Sequence, residues 1–178
     1  MKVAIFNGSP MKDDSTAAVT SSMAKMMADA GADVNEHLLY FMKIKGCLTC
    51  GVAGAGKENA CKMVGELLSA DAAIFASPVY MWNISDSVRS LFEILFAQAK
   101  FDEEMIKELE GKKVAVVLAT DDGEGVADDA SKPVQFVCDT FKMNFMGTLT
   151  APFADKGQVA GKEYQDRIRE FTDRIMKG

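Results

Sequence analysis

A single histidine, His37, serves the whole chain. A Ser–His–Asp triad or a multi-histidine metal centre therefore has almost nothing to draw on. His37 falls on an expected edge strand, where a half-exposed structural residue is the simpler reading. Cysteine is scarce as well: four thiols in 178 residues do not make the disulfide framework of a small secreted domain. No apolar stretch is long enough to cross a bilayer, and no run resembles a signal peptide, so the expectation is a soluble, cytoplasmic protein without a membrane partner. Cations are outnumbered. Twenty lysines and arginines against 26 carboxylates leave a net charge of −6, which argues against a nucleic-acid-binding surface. Linkers, repeats and low-complexity tracts are absent, so residues 1–178 are expected to form one domain, and a 48% apolar fraction can supply its core. The twelve methionines read as helix-face core material.

What is present is an alternation of strands and helices. Residues 2–6, 34–39, 72–76, 114–119 and 145–150 read as strands; the first is apolar without alternation, as in a parallel sheet buried on both faces. Val19, Met23, Met26, Met27 and Ala30 form a helical stripe after the first strand, with Gly31 at its C-terminal end. Val88, Leu91, Phe92, Leu95, Phe96 and Ala99 form the strongest amphipathic helix. Shorter helices are expected near residues 63–68 and 103–109. Another is expected over 130–141, with Pro133 in its first turn, and Tyr164, Ile168, Phe171 and Ile175 mark a C-terminal one. Residues 40–61 read as irregular. Five strands alternating with helices imply an α/β fold whose parallel sheet is covered on both faces.

In such a sheet, ligands bind beyond the carboxyl ends of the strands, and three loops there are chemically distinctive. The first, Asn7-Gly8-Ser9-Pro10-Met11-Lys12-Asp13-Asp14-Ser15-Thr16, places Ser9, Ser15, Thr16 and the cation Lys12 at a helix start. Unpaired N–H groups and the helix dipole favour an anion there, so the loop reads as a phosphate cradle in which Ser15 or Thr16 would cap the helix. The second loop, Ser77-Pro78-Val79-Tyr80-Met81-Trp82-Asn83-Ile84-Ser85, gathers groups able to wall a flat conjugated ring. The third, Thr120-Asp121-Asp122-Gly123-Glu124-Gly125, has glycines that let backbone approach a ligand, among acids that do not match a calcium loop.

The pattern G-S-P-x-K-x-x-S-T, followed by S-P-V-Y-x-x-N-x-S and a glycine-containing loop after the fourth strand, resembles the flavodoxin-like NAD(P)H-dependent FMN reductases over essentially the whole chain. The iron–sulfur flavoprotein branch of that family is the most similar. The resemblance implies a three-layer α/β/α fold with a five-stranded parallel sheet in the order 2-1-3-4-5. It implies FMN as cofactor and NAD(P)H as electron donor. By position, Ser9, Lys12, Ser15 and Thr16 would hold the FMN phosphate. Pro78, Val79, Tyr80, Met81, Trp82 and Asn83 would pass beside the isoalloxazine ring, and Thr120, Asp121, Asp122 and Gly123 would meet its pyrimidine side. Met11 stands where the family usually has arginine, and Asp121-Asp122 replace part of a glycine-rich pattern. No side chain need act as acid or base, because the flavin carries the chemistry. The expected function is electron transfer from reduced nicotinamide to a small acceptor such as a quinone; the alternative is a flavodoxin-type electron carrier. The acids of the third loop should repel the nicotinamide's pyrophosphate. With Trp82, Phe92 and Phe96 on or just before one helix, a homodimer or homotetramer is expected.

Cys47-x-x-Cys50 lies where the iron–sulfur branch carries its cluster motif, but Ala53 holds the third position and Cys61 is the late cysteine. A four-iron cluster normally uses four thiolates, and Cys138 falls in an expected core helix. No cluster is expected to assemble, and zinc, a redox-active Cys47–Cys50 pair and inert thiols stay open for this segment. Residues 51–58 imitate a phosphate-binding P-loop, yet no strand precedes them and Glu58 replaces the metal-binding hydroxyl.

Overall fold

The computed structural model describes residues 1–44, 57–153 and 155–177. Its elements run β1 (Lys2–Asn7), α1 (Ser15–Asp29), β2 (Asp33–Leu38), a 3-10 turn (Leu39–Met42), α2 (Lys57–Ser69), β3 (Ala72–Pro78), α3 (Asp86–Ala99), α4 (Glu103–Leu109), β4 (Lys113–Ala119), α5 (Glu124–Thr140), β5 (Asn144–Ala151), α6 (Lys156–Val159) and α7 (Lys162–Lys177). All strand pairings are parallel, in the order β2-β1-β3-β4-β5. This is the flavodoxin-like order, and β2 with His37 is indeed an edge.

Strand periodicity divides the core in two. Side chains two apart in a strand share a face, so Val3, Ile5, Ile74 and Val117 pack with Val19, Met23 and Met27 of α1 and Ile168, Phe171 and Ile175 of α7. Ala4, Phe6, Phe75, Val116 and Leu118 pack on the other face against α2, α3, α4 and α5. Both faces being covered, the strands read as continuous apolar runs rather than alternating ones. Phe92 is core; Phe96 packs on the edge of the same cluster and stacks on the exposed Phe136.

Three expectations change. The fifth helix begins at Glu124, not near residue 130, so Pro133 lies in its interior. The buried stripe Ala127, Ala130, Ser131, Val134, Val137 and Cys138 continues the helical period through residues too small to announce it. The missing proline N–H removes one helix bond, and burial of that stripe outweighs it. The helix near 63–68 extends over Lys57–Ser69, burying Ala60, Met63, Val64 and Leu67 against the sheet. Finally, the cap of α1 is Asp14, whose side chain accepts from the Ala17 N–H at 2.8 Å; Ser15 and Thr16 lie inside the first turn.

Candidate functional site

The chain leaves β1 through a buried polar network. The Oδ1 of the fully buried Asn7 accepts the Ser9 N–H at 2.9 Å, and its Nδ2 donates to Glu36 Oε1 at 3.3 Å. Thr20 of α1 donates to the same Glu36 oxygen at 2.7 Å. The next residue, Gly8, donates to the Ala76 carbonyl at 2.7 Å and accepts from the Ser87 hydroxyl at 3.1 Å. A Cβ at Gly8 would lie 2.3 Å from Ser85 Oγ and 2.5 Å from Val88 Cγ2, so glycine is required by close approach to the start of α3.

Beyond Gly8 the loop turns its polar groups on one another. Ser9 accepts the Met11 N–H and donates to Asp14 Oδ2. Ser15 reaches only the Phe153 carbonyl, at a long 3.5 Å. Thr16 is fully buried and its hydroxyl has no hydrogen-bond partner, an uncommon and costly state for a buried polar atom. Lys12 does not join these hydroxyls: its ammonium lies 4.8 Å from the centroid of the Phe41 ring, in the 3-10 turn after β2. The cation at the loop is Lys156 of α6, paired with Asp13 at 2.6 Å.

The loop after β3 is closed at its base by Ser77, whose Oγ accepts the Ser85 N–H and donates to the Pro78 carbonyl. Val79 donates its N–H to the Ala119 carbonyl at the end of β4. Tyr80 and Asn83 exchange two backbone hydrogen bonds of 3.0 Å around a tight turn. Its central residues, Met81 and Trp82, have φ of 50° and 58°. Hairpin turns of this kind favour Asn-Gly, and two bulky residues there carry backbone strain of about 1–3 kcal/mol each. Both project outward, Met81 84% and Trp82 62% exposed. Tyr80 meets the Phe153 ring edge-on at 6.3 Å. Burial, then the charge of Asp14, holds its phenol above the ordinary value of 10.

In the third loop, Thr120 accepts the Asp122 N–H at 3.1 Å, and Asp121 Oδ1 accepts the Phe153 N–H at 2.7 Å. Gly123, at φ 91°, precedes α5 as its cap. A cavity of about 220 Å³ is lined by Met11, Asp13, Asp14, Ser15, Tyr80, Ala119, Phe153 and Lys156. The cavity thus brings the first loop and Tyr80 together, and Phe153 links the first loop to the third.

Asp14, Phe153 and Lys156 were not among the sequence candidates. Asp14 could have been found as an Asp preceding the first periodic helix residue. Phe153 and Lys156 follow the fifth strand, at the same sheet edge as the other loops. Cys47, Cys50 and Ala53 lie outside the described residues; Cys61 is exposed on α2. Burial and then the Asp139 charge push the Cys138 thiol up to about 12, leaving it an inert core group.

The sequence profile of the NADPH-dependent FMN reductases matches residues 1–175. The chain belongs to that family. It is an NAD(P)H-dependent flavin oxidoreductase with FMN as its cofactor. No curated protein sequence matches it. Among solved structures it is similar to the NAD(P)H:quinone oxidoreductase from Methanothermobacter marburgensis, with a TM-score of 0.68 and 17% identity over 100% of this chain and 96% of that one. An FMN-dependent NADH-azoreductase from Bacillus anthracis in complex with FMN gives a TM-score of 0.68 at 14% identity, over 99% of both chains. A mutant flavodoxin from Pseudomonas aeruginosa gives 0.61 at 14% identity, again over 99% of both. At these identities the similarity shows the shared fold. Among the described residues, no helix is long and apolar enough to cross a membrane.

The loop after β1 fits the cofactor on its own evidence. The unpartnered, fully buried Thr16 hydroxyl is a donor in want of an acceptor, and a phosphate oxygen would answer it.

Proposed function

We propose that this family member reduces a small planar acceptor, a quinone or a molecule of similar shape, at the expense of NAD(P)H. The observation that carries this reading is an open aromatic wall beside the phosphate loop. Tyr80 and Phe153 are each about half exposed and line the cavity, and Trp82, exposed at the tip of the same turn as Tyr80, extends that loop's aromatic surface. A wall open to solvent suits entry of a small flat molecule better than docking of a second redox protein. The similarity in fold to a quinone oxidoreductase agrees with this choice.

When bound, FMN supplies the two-electron chemistry and the protein supplies position and electrostatics. Ser9, Ser15 and Thr16 would hold its phosphate, with Lys12 swung from Phe41 or Lys156 from Asp13 as counter-charge. Residues 78–83 would flank the ring system, and residues 120–123 would meet its polar edge. The exposed carboxylates of Asp122 and Glu124 disfavour the pyrophosphate of the nicotinamide nucleotide. Their repulsion is screened over about 8–10 Å at ordinary salt, so KM for the nucleotide should fall as salt rises. A dimer or tetramer with the flavin near a subunit contact belongs to the same reading, and a sedimentation mass of one chain at micromolar concentration would overturn that part.

The test is NADPH oxidation by the FMN-loaded protein, without oxygen, with a water-soluble benzoquinone as acceptor. Sustained turnover with the quinone alone is expected, and Trp82→Ala should raise the KM for the quinone. Turnover that begins only when a protein electron carrier is added would overturn the proposal.

A further inference from the structure

We infer that Asp14 is a built-in rival of the cofactor phosphate, and that it makes FMN exchangeable rather than permanently held. The inference rests on the proposed placement of the phosphate at the loop after β1. An incoming phosphate would need the donors at the start of α1 and the hydroxyls beside them. Asp14 already holds two: Oδ1 accepts the Ala17 N–H at 2.8 Å, and Oδ2 accepts the Ser9 hydroxyl. Asp14 is among the residues that line the cavity. Thr16, two residues on in the same turn, is left with a buried hydroxyl and no partner. The loop therefore has one anion in place and an unanswered donor beside it.

The nearest cations of the loop and of α6 are engaged elsewhere. Asp13 has taken Lys156, and Lys12 lies over Phe41. Among the described residues, no ion pair includes Asp14. A phosphate carrying about −1.5 to −2 charges and a carboxylate cannot share the same donors without strong repulsion. For the phosphate to settle, Asp14 must give up Ser9 and turn toward solvent. When the phosphate leaves, the carboxylate returns to the same donors. A tethered competitor of this kind weakens binding and speeds release, and it acts only on a flavin that carries a phosphate.

The test compares wild type with Asp14→Asn, which keeps the capping oxygen for Ala17 and removes the charge. Asp14→Ser, a second capping residue, guards against a folding defect in the first. FMN and riboflavin are titrated by flavin fluorescence, and FMN release is timed by dilution. We expect Asp14→Asn to bind FMN about tenfold more tightly or better, mainly through slower release, with riboflavin within about twofold of wild type. An unchanged or weaker FMN affinity, or a riboflavin affinity that moves in parallel, would overturn the inference. If neither flavin binds any of the proteins, the flavin placement fails, and thermal melting in inorganic phosphate decides the Asp14 question alone. Phosphate that stabilises Asp14→Asn and not wild type supports the rival carboxylate; phosphate that stabilises neither overturns it.

Discussion

The loops after β1 and β3 leave neighbouring strands at the same sheet edge, yet they are held in opposite ways. The first is tied inward: Asn7 and Gly8 are fixed by Ser9, Glu36, Ala76 and Ser87, and a Cβ at Gly8 has no room. The second is tied near its base, by Ser77 to Ser85 and by Val79 to Ala119, and its tip carries two bulky side chains in a left-handed backbone that glycine would prefer. A closely tied loop can hold a small charged group in fixed geometry. A strained and exposed tip, with a base that over-determines it, presents aromatic surface to whatever arrives. In the proposed function, the first loop would position the phosphate and the second would receive the acceptor.

The largest effect is expected at the foundation of the first loop. Gly8→Ala should lower stability by about 2–3 kcal/mol, because the added methyl overlaps Ser85 and Val88. Urea denaturation measures it, and FMN affinity should fall with it; a loss below about 0.5 kcal/mol would show the loop to be far looser than described. Next comes Thr16→Val, where two effects should run in opposite directions. Without ligand the protein should be unchanged or about 1 kcal/mol more stable, since an unpaired buried hydroxyl is removed. FMN binding should weaken by about ten- to a hundredfold, the worth of one hydrogen bond to a charged group. Loss of stability without loss of affinity would assign Thr16 to the core alone.

The second loop should answer differently. Trp82→Gly relieves a left-handed backbone and should raise stability by about 1 kcal/mol, while quinone turnover falls. A destabilised Trp82→Gly would mean that the indole is packed against another surface and does not stand free. The smallest effect concerns His37, which stacks on Phe6 at 5.6 Å beneath the first loop. Burial holds its imidazole below the ordinary 6.5, although Glu66 pulls the other way. The unfolded chain therefore binds the proton first, and stability should fall as pH drops through about 6.5. Urea midpoints against pH should show this decline in wild type and a shallower one in His37→Gln.

Much of this was legible in the residues. The five strands and the stripe of α3 were readable because burial on both sheet faces demands uninterrupted apolar runs and strict helical spacing. The first turns of α5 were hidden because Ala127, Ala130 and Ser131 fill a tight interface with small side chains, and Pro133 reads locally as a start. At the site, the hydroxyls and aromatics were named, but their relations were not. A sequence does not show that Asp14 takes the Ser9 hydroxyl, that Lys12 settles on Phe41, or that Phe153 arrives from the far strand to meet Tyr80. Those contacts depend on side-chain direction and on loops far apart in the chain.

Whether the loop after β1 holds a phosphate is decided by a paired titration of wild-type protein with FMN and riboflavin. The two flavins share the ring system and differ at the phosphate. FMN should bind at least about tenfold more tightly, even against Asp14, because charge-assisted bonds to Thr16 and its neighbours have no counterpart in riboflavin. Equal affinities for FMN and riboflavin would contradict it.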